Sequence, residues 1–108
     1  MNETSLHALA DLEESQPFVL RLYVTGMTPR STRAIRSVRA ICEEFLAGRF
    51  DLEIIDVYQQ PARIRDEQIV ATPTLVKKGP SPERRMIGDM SNRARVMAGL
   101  GIREPSPP

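Results

Sequence analysis

Apolar and polar positions alternate from Phe18 to Thr25, with Phe18, Leu20, Leu22 and Val24 on one face and Val19, Arg21, Tyr23 and Thr25 on the other. Apolar groups on both faces predict a central strand rather than an exposed edge. Gly26-Met27-Thr28-Pro29 breaks the pattern, with Thr28 placed as a helix N-cap and Pro29 at the first helical position, where its missing N–H costs nothing. The spacing predicts a helix to about Leu46. Ile35, Val38, Cys42 and Phe45 form its apolar stripe, and Ala34, Ile41 and Leu46 widen it. Phe50 to Tyr58 predicts a second strand, parallel to the first after a right-handed helical crossover. Pro61 to Gln68 predicts a two-turn helix, marginal alone, with Ile64 as its main apolar contact.

The stretch from Ile69 to Met90 organises the rest. Thr74-Leu75-Val76 has the content of a buried strand, Gly79-Pro80-Ser81-Pro82 marks a turn, and Arg84 to Ile87 predicts a returning strand. Pro73 has two readings, an ordinary proline at the first strand position or a cis peptide, since proline lowers the cis cost to about 0.5–1 kcal/mol. Ser91 is placed to cap a last helix with Val96, Met97 and Leu100 facing inward; Gly99 and Gly101 weaken its end by about 1 kcal/mol each relative to alanine.

Composition narrows the function classes. One hundred and eight residues suit a single domain. Residues 1–16, with Glu3, Asp11, Glu13 and Glu14 and no Lys or Arg, predict a flexible acidic arm; 17–102 are expected to form the domain and 103–108 a proline-rich tail. A formal net charge of +1 argues against a dedicated nucleic-acid binder. Arg30, Arg33, Arg36 and Arg39 on the first helix read either as a solvated face or as a docking surface for an acidic partner. Cys42, the single cysteine, lies in the apolar stripe, which makes it a small core residue and excludes an internal disulfide or Cys-x-x-Cys chemistry. His7, the single histidine, lies in the arm and is a poor metal ligand or base. No run reaches membrane-spanning length and no signal peptide is visible, so the expected location is cytoplasmic. Neither a catalytic residue nor a cofactor or metal site is expected.

The order strand–helix–strand–helix–strand–strand–helix is that of a thioredoxin-like α/β domain, βαβαββα. The resemblance implies that Pro73 is cis, because such domains carry a cis-proline just before the third core strand. Where a thioredoxin has its cysteine pair, this chain has Gly26-Met27-Thr28-Pro29. A thioredoxin-fold redox enzyme or glutathione-type transferase is the reading from another class; Thr28 and Ser31 are present without a basic partner to activate them.

The pieces LRLYVTGMTPRSTRAI, FDLEIIDVYQQP and IVATPTLVKKGPSPERRMIGDMS together closely resemble the KaiB family of circadian-clock proteins, over roughly residues 18 to 100. The combination of LYV-x-G-x-TP, IDV, ATPTL and RR-x-IGD is specific. The resemblance implies a non-enzymatic partner of KaiC, a hexameric RecA-like ATPase. Such a partner binds the ATPase's N-terminal ring, sequesters the activator KaiA, competes with the thioredoxin-like domain of the histidine kinase SasA, and helps switch KaiC from phosphorylation to dephosphorylation. It also implies two folds: a ground state (βαββααβ) that assembles as dimers or tetramers, and a thioredoxin-like monomer that binds KaiC.

By family match, Arg33, Lys77, Arg84 and Arg85 are expected to contact the partner, and Gly88 and Asp89 to form the fold-switch hinge. Positive φ at Gly88 is expected in the ground state, so Gly88→Ala is expected to raise the binding-competent fraction. The chain departs from the family at Gly79-Pro80-Ser81-Pro82-Glu83, at Ser91-Asn92-Arg93-Ala94, which lacks the acidic half of a capping box, and in its proline-rich tail. Those departures suit a paralogue serving a KaiC homologue in a simpler timer or a stress response.

Overall fold

The computed structural model describes residues 16–102. The expected arm, apart from Gln16, and the expected tail 103–108 lie outside the described residues. Seven elements follow in the predicted order: β1 (Phe18–Val24), α1 (Pro29–Phe45), β2 (Phe50–Asp56), α2 (Pro61–Glu67), β3 (Thr74–Gly79), β4 (Arg84–Ile87) and α3 (Arg93–Leu100). They form one sheet of strand order β2-β1-β3-β4. β1 is central, as its two apolar faces require, parallel to β2 in the register Leu22↔Ile54 and antiparallel to β3 in the register Leu22↔Leu75. This is the thioredoxin-like arrangement, not the alternative βαββααβ order.

The two faces of β1 divide the core. Phe18, Leu20, Leu22 and Val24 pack with Leu75 against α1 and α3, in a cluster that includes Ala34, Val38, Ile41, Cys42, Val96, Met97 and Leu100. Tyr23 packs with Ile55, Val57 and Val76 under α2, which contributes the half-buried Ile64 and is followed by the half-buried Ile69. The stripe of α1 is centred on Ala34, Val38, Ile41 and Cys42, while Ile35 and Phe45 lie at its border.

Local chemistry sets two ends differently from expectation. β2 stops at Asp56 rather than Tyr58, because the Asp56 carboxylate accepts the Tyr58 N–H at 2.9 Å and turns the chain. α3 is capped by Asn92 rather than Ser91: Asn92 Oδ1 accepts the Arg95 N–H at 3.1 Å, and the Ser91 N–H is already held by Asp89 Oδ1 at 3.0 Å.

Gly99 has a packing reason as well as a propensity cost. A Cβ there would lie 2.3 Å from Met86 Sδ, so α3 approaches β4 closely because the residue is glycine.

Candidate interaction site at one end of the sheet

Because β1 and β2 are parallel while β3 and β4 alternate in direction, one end of the sheet gathers the ends of β1, β2 and β4 and the start of β3. Four large apolar side chains are exposed among the described residues: Met27 at 86%, Val70 at 86%, Tyr58 at 75% and Ile87 at 51%. All four belong to segments at this end: Met27 after β1, Tyr58 after β2, Val70 before β3 and Ile87 closing β4. Scattered exposed hydrophobics are ordinary; their concentration at one end makes that end the candidate contact surface.

Behind that rim the backbone is pinned. Thr28 caps α1, accepting the Ser31 N–H at 3.2 Å, and its hydroxyl donates to Ser31 Oγ at 2.8 Å. Ser31, 1% exposed, also accepts the Thr25 N–H at 3.2 Å, which ties the first turn of α1 to the end of β1. The Thr25 and Thr72 hydroxyls are hydrogen-bonded to each other. The Thr72–Pro73 peptide is cis, as are Gly79–Pro80 and Ser81–Pro82. Pro73 O accepts the Gly88 N–H at 3.0 Å, so the proline turn is fastened to the end of β4. Hydroxyls and an amide ladder thus occupy the ground on which a thioredoxin carries its thiols. Cys42 is buried in α1, where burial pushes its thiol up to about 11.

Gly88 has φ 125° and Met90, 5% exposed, has φ 61°. The positive φ expected at Gly88 in the ground state is thus present in the thioredoxin-like arrangement, which alanine would strain. Asp89 Oδ2 lies 3.4 Å from Arg33 Nε, which joins the expected hinge to an expected contact residue. The hydrogen bonds from Ser91, and then the Arg33 charge, hold the Asp89 carboxyl below its ordinary range.

The expected contact residues do not form one surface. Lys77 is 4% exposed; its ammonium donates to Leu100 O at the C-terminus of α3 at 3.4 Å and lies 5.8 Å from the centre of the Phe18 ring. Burial, then the nearby Arg84 charge, pushes its pKa down. Arg84 pairs with Lys77 across β3–β4, so both face the α1/α3 side. Arg84 is exposed and makes no ion pair among the described residues. Arg85 points to the opposite face, where it donates to Gln68 O at 3.2 Å and lies 3.7 Å from Glu67 Oε1. Arg33, Gly88, Asp89 and Pro73 are brought together at the apolar end, and Lys77 with Arg84 toward the other. Sequence reasoning missed Met27, Tyr58 and Val70 as surface; their signal was large apolar residues at loop positions between turn and polar residues. No group of three or more potential metal ligands occurs among the described residues, and no helix there is long and apolar enough to cross a membrane.

A KaiB domain matches residues 21–102. The chain is 51% identical over 84 residues to the "Circadian clock protein KaiB3" of a Synechocystis species, an alignment that covers 78% of this chain and 82% of that one. It is 47% identical over 85 residues to the "Circadian clock oscillator protein KaiB" of a Synechococcus species, covering 79% and 77%. Among solved structures, the N-terminal domain of Synechococcus elongatus SasA superposes with a TM-score of 0.65 at 27% identity, covering 84% of this chain and 90% of that one. Chloroplastic thioredoxin z, at 22% identity, shares the fold with a TM-score of 0.65 and coverage of 94% and 88%. With its thioredoxin-like fold and its match across most of the domain, this chain belongs to the KaiB family of circadian-clock proteins.

Proposed function

We propose that this chain is a non-enzymatic, cytoplasmic clock component that docks, in the thioredoxin-like arrangement, on a hexameric KaiC-type RecA-like ATPase and so regulates its phosphorylation and ATPase cycle. The observation that carries the reading is the exposed apolar rim of Met27, Tyr58, Val70 and Ile87 on a fold shared with the SasA N-terminal domain. A fold shared with the SasA N-terminal domain is the physical basis on which the two proteins would compete for the ATPase. Arg33 at the rim, and Arg84 on the outer strand, add charge contacts that steer association. Arg85 joins them only by leaving Glu67, and Lys77, buried under the end of α3, reaches a partner only if that end lifts. KaiA belongs to the same assembly where it is present.

Fold switching gates the complex, with Gly88-Asp89 as the hinge and Pro73 held against it. The other arrangement self-associates as dimers or tetramers, so dilution favours binding to the ATPase. The test is binding of purified chain to a KaiC-type hexamer. Met27→Asp with Val70→Asp should abolish complex formation at unchanged thermal stability, since both side chains are mostly solvent-exposed. Full affinity in that variant would remove this end from the interface.

A second reading, a paralogue serving a KaiC homologue in a simpler timer or a stress response, is favoured by the departures at Gly79-Pro80-Ser81-Pro82-Glu83 and in the tail. Binding to such a homologue but not to KaiC would select it. The redox reading fits poorly with Cys42, whose thiol is buried in the helix core.

A further inference from the structure

The face of the sheet under α2 is half apolar and half charged. Tyr23, Ile55, Val57 and Val76 form its apolar part, while Arg21, Glu53, Lys78 and Arg85 surround them. α2 buries no residue of its own, and seven residues make too short a helix to persist without tertiary support. What fastens it is charge. On one side Arg63 holds Glu53 through both terminal nitrogens, Nη2 donating to Oε1 at 2.9 Å, and Arg21 Nε lies 3.7 Å from the same oxygen. On the other side Glu67 accepts from Lys78 at 2.8 Å and lies 3.7 Å from Arg85. Lys78 is shared with Glu83 at 3.0 Å, and Arg85 also binds the carbonyl of Gln68, the left-handed residue that ends the helix.

The β3 bulge contributes to this arrangement: the register of β1 skips from Gly79 to Lys77, and Lys78 stands on the α2 side. Each rim of α2 thus ends in a carboxylate–cation cluster, and only Ile64 and Ile69 seal the apolar patch between them.

We propose that α2 is an ion-clasped strap, with Glu67 as its keystone, that rising ionic strength releases from the sheet before the rest of the domain opens, uncovering Tyr23, Ile55, Val57 and Val76. The clusters are partly exposed, with Glu53 at 45%, Lys78 at 30%, Arg63 at 28% and the more enclosed Glu67 at 13% side-chain exposure, so salt reaches them through their cations. At 1 M salt the screening length falls to about 3 Å, comparable with these pairs. The α1/α3 face carries the Arg93–Glu44 and Arg33–Asp89 pairs, but it is joined mainly by a continuous buried apolar cluster, so salt has much less to release there.

The experiment is residue-resolved amide exchange on the full chain at pH 7, without any ATPase, in 0.05 M and 1 M NaCl. The reporters are the Gln68 and Ile69 amides, which bond to Arg65 O at 3.2 Å and to Ile64 O at 3.0 Å. Their exchange should quicken about tenfold in high salt while Val38 and Ile41 in α1 hold their rates. Glu67→Gln should reproduce the fast exchange at low salt and reduce the remaining salt response to the share that the Arg63–Glu53 cluster supplies. If Glu67→Gln does not fold, Lys78→Gln, which vacates the same cluster, takes its place with the same expected result. Salt-independent rates at Gln68 and Ile69, or equal acceleration in α1, would overturn the strap, as would a folded keystone variant with unchanged rates. None of these outcomes depends on whether the ATPase is the partner.

Discussion

Gly88→Ala isolates one physical quantity. A Cβ built on Gly88 meets nothing within 4 Å, so the substitution creates no overlap. The whole cost is backbone conformation: φ is 125°, a region that side-chain-bearing residues rarely enter, and holding one there costs of order 1–3 kcal/mol. That strain falls on the arrangement in which Gly88 N–H bonds to Pro73 O at 3.0 Å and Asp89 meets Arg33. Since about 1.4 kcal/mol is a tenfold change in an equilibrium, the thioredoxin-like population should fall by roughly 5- to 150-fold relative to any arrangement that lacks the strain. Apparent affinity for the ATPase should fall in proportion to the competent fraction. Thermal denaturation supplies the second readout, each kcal/mol lowering the midpoint by roughly 4–8 °C in a domain of this size. D-alanine, which accepts positive φ, should restore both when introduced at the same site by semisynthesis. Unchanged midpoint and affinity in Gly88→Ala would show that this turn carries no strain penalty and would refute the reasoning.

Gly99→Ala tests the opposite case, a crowded glycine in an ordinary helical conformation. Alanine gains about 1 kcal/mol of helix propensity but overpacks against Met86 at about 1–3 kcal/mol, so it should destabilise the native chain and stabilise a Met86→Ala background; additive effects in denaturant titrations would refute the contact. Lys77→Met should leave the midpoint unchanged or raise it, because it removes a buried ammonium and that ammonium's repulsion with its cross-strand neighbour, Arg84; a large loss would mean that the bond to Leu100 O anchors α3. Cys42 should resist alkylation at pH 8 until the chain unfolds, since a thiol near 11 is about one thousandth thiolate there, and labelling faster than unfolding would contradict its burial. Glu53, Glu67 and Asp89 have carboxyls held below their ordinary range, by Arg63, Lys78 and Ser91 respectively. Their stabilisation is therefore complete above the unfolded value of about 4 and lost as pH falls through the lower folded values; a midpoint that held steady from pH 5 to pH 2 would disprove it.

The order of elements was legible in the sequence because it rests on local physics. Alternation in Phe18–Val24, the Thr28-Pro29 helix start, the i, i+4 stripe through Val38 and Cys42, and the turn prolines each act within a few residues. The motif resemblance then identified the fold, the family and the cis peptide at Pro73. Where the chemistry converges was decided only by tertiary structure. Arg84 and Arg85 are neighbours in sequence, yet pleating sends them to opposite faces of the sheet. Lys77 reads as a surface cation, but its strand register puts it on the core face under the end of α3. Met27, Tyr58, Val70 and Ile87 are spread across sixty residues and share one rim because β1, β2 and β4 end where the oppositely directed β3 begins. Register and strand order depend on pairings between residues far apart in the chain, and a local pattern carries no information about which distant partner it will meet.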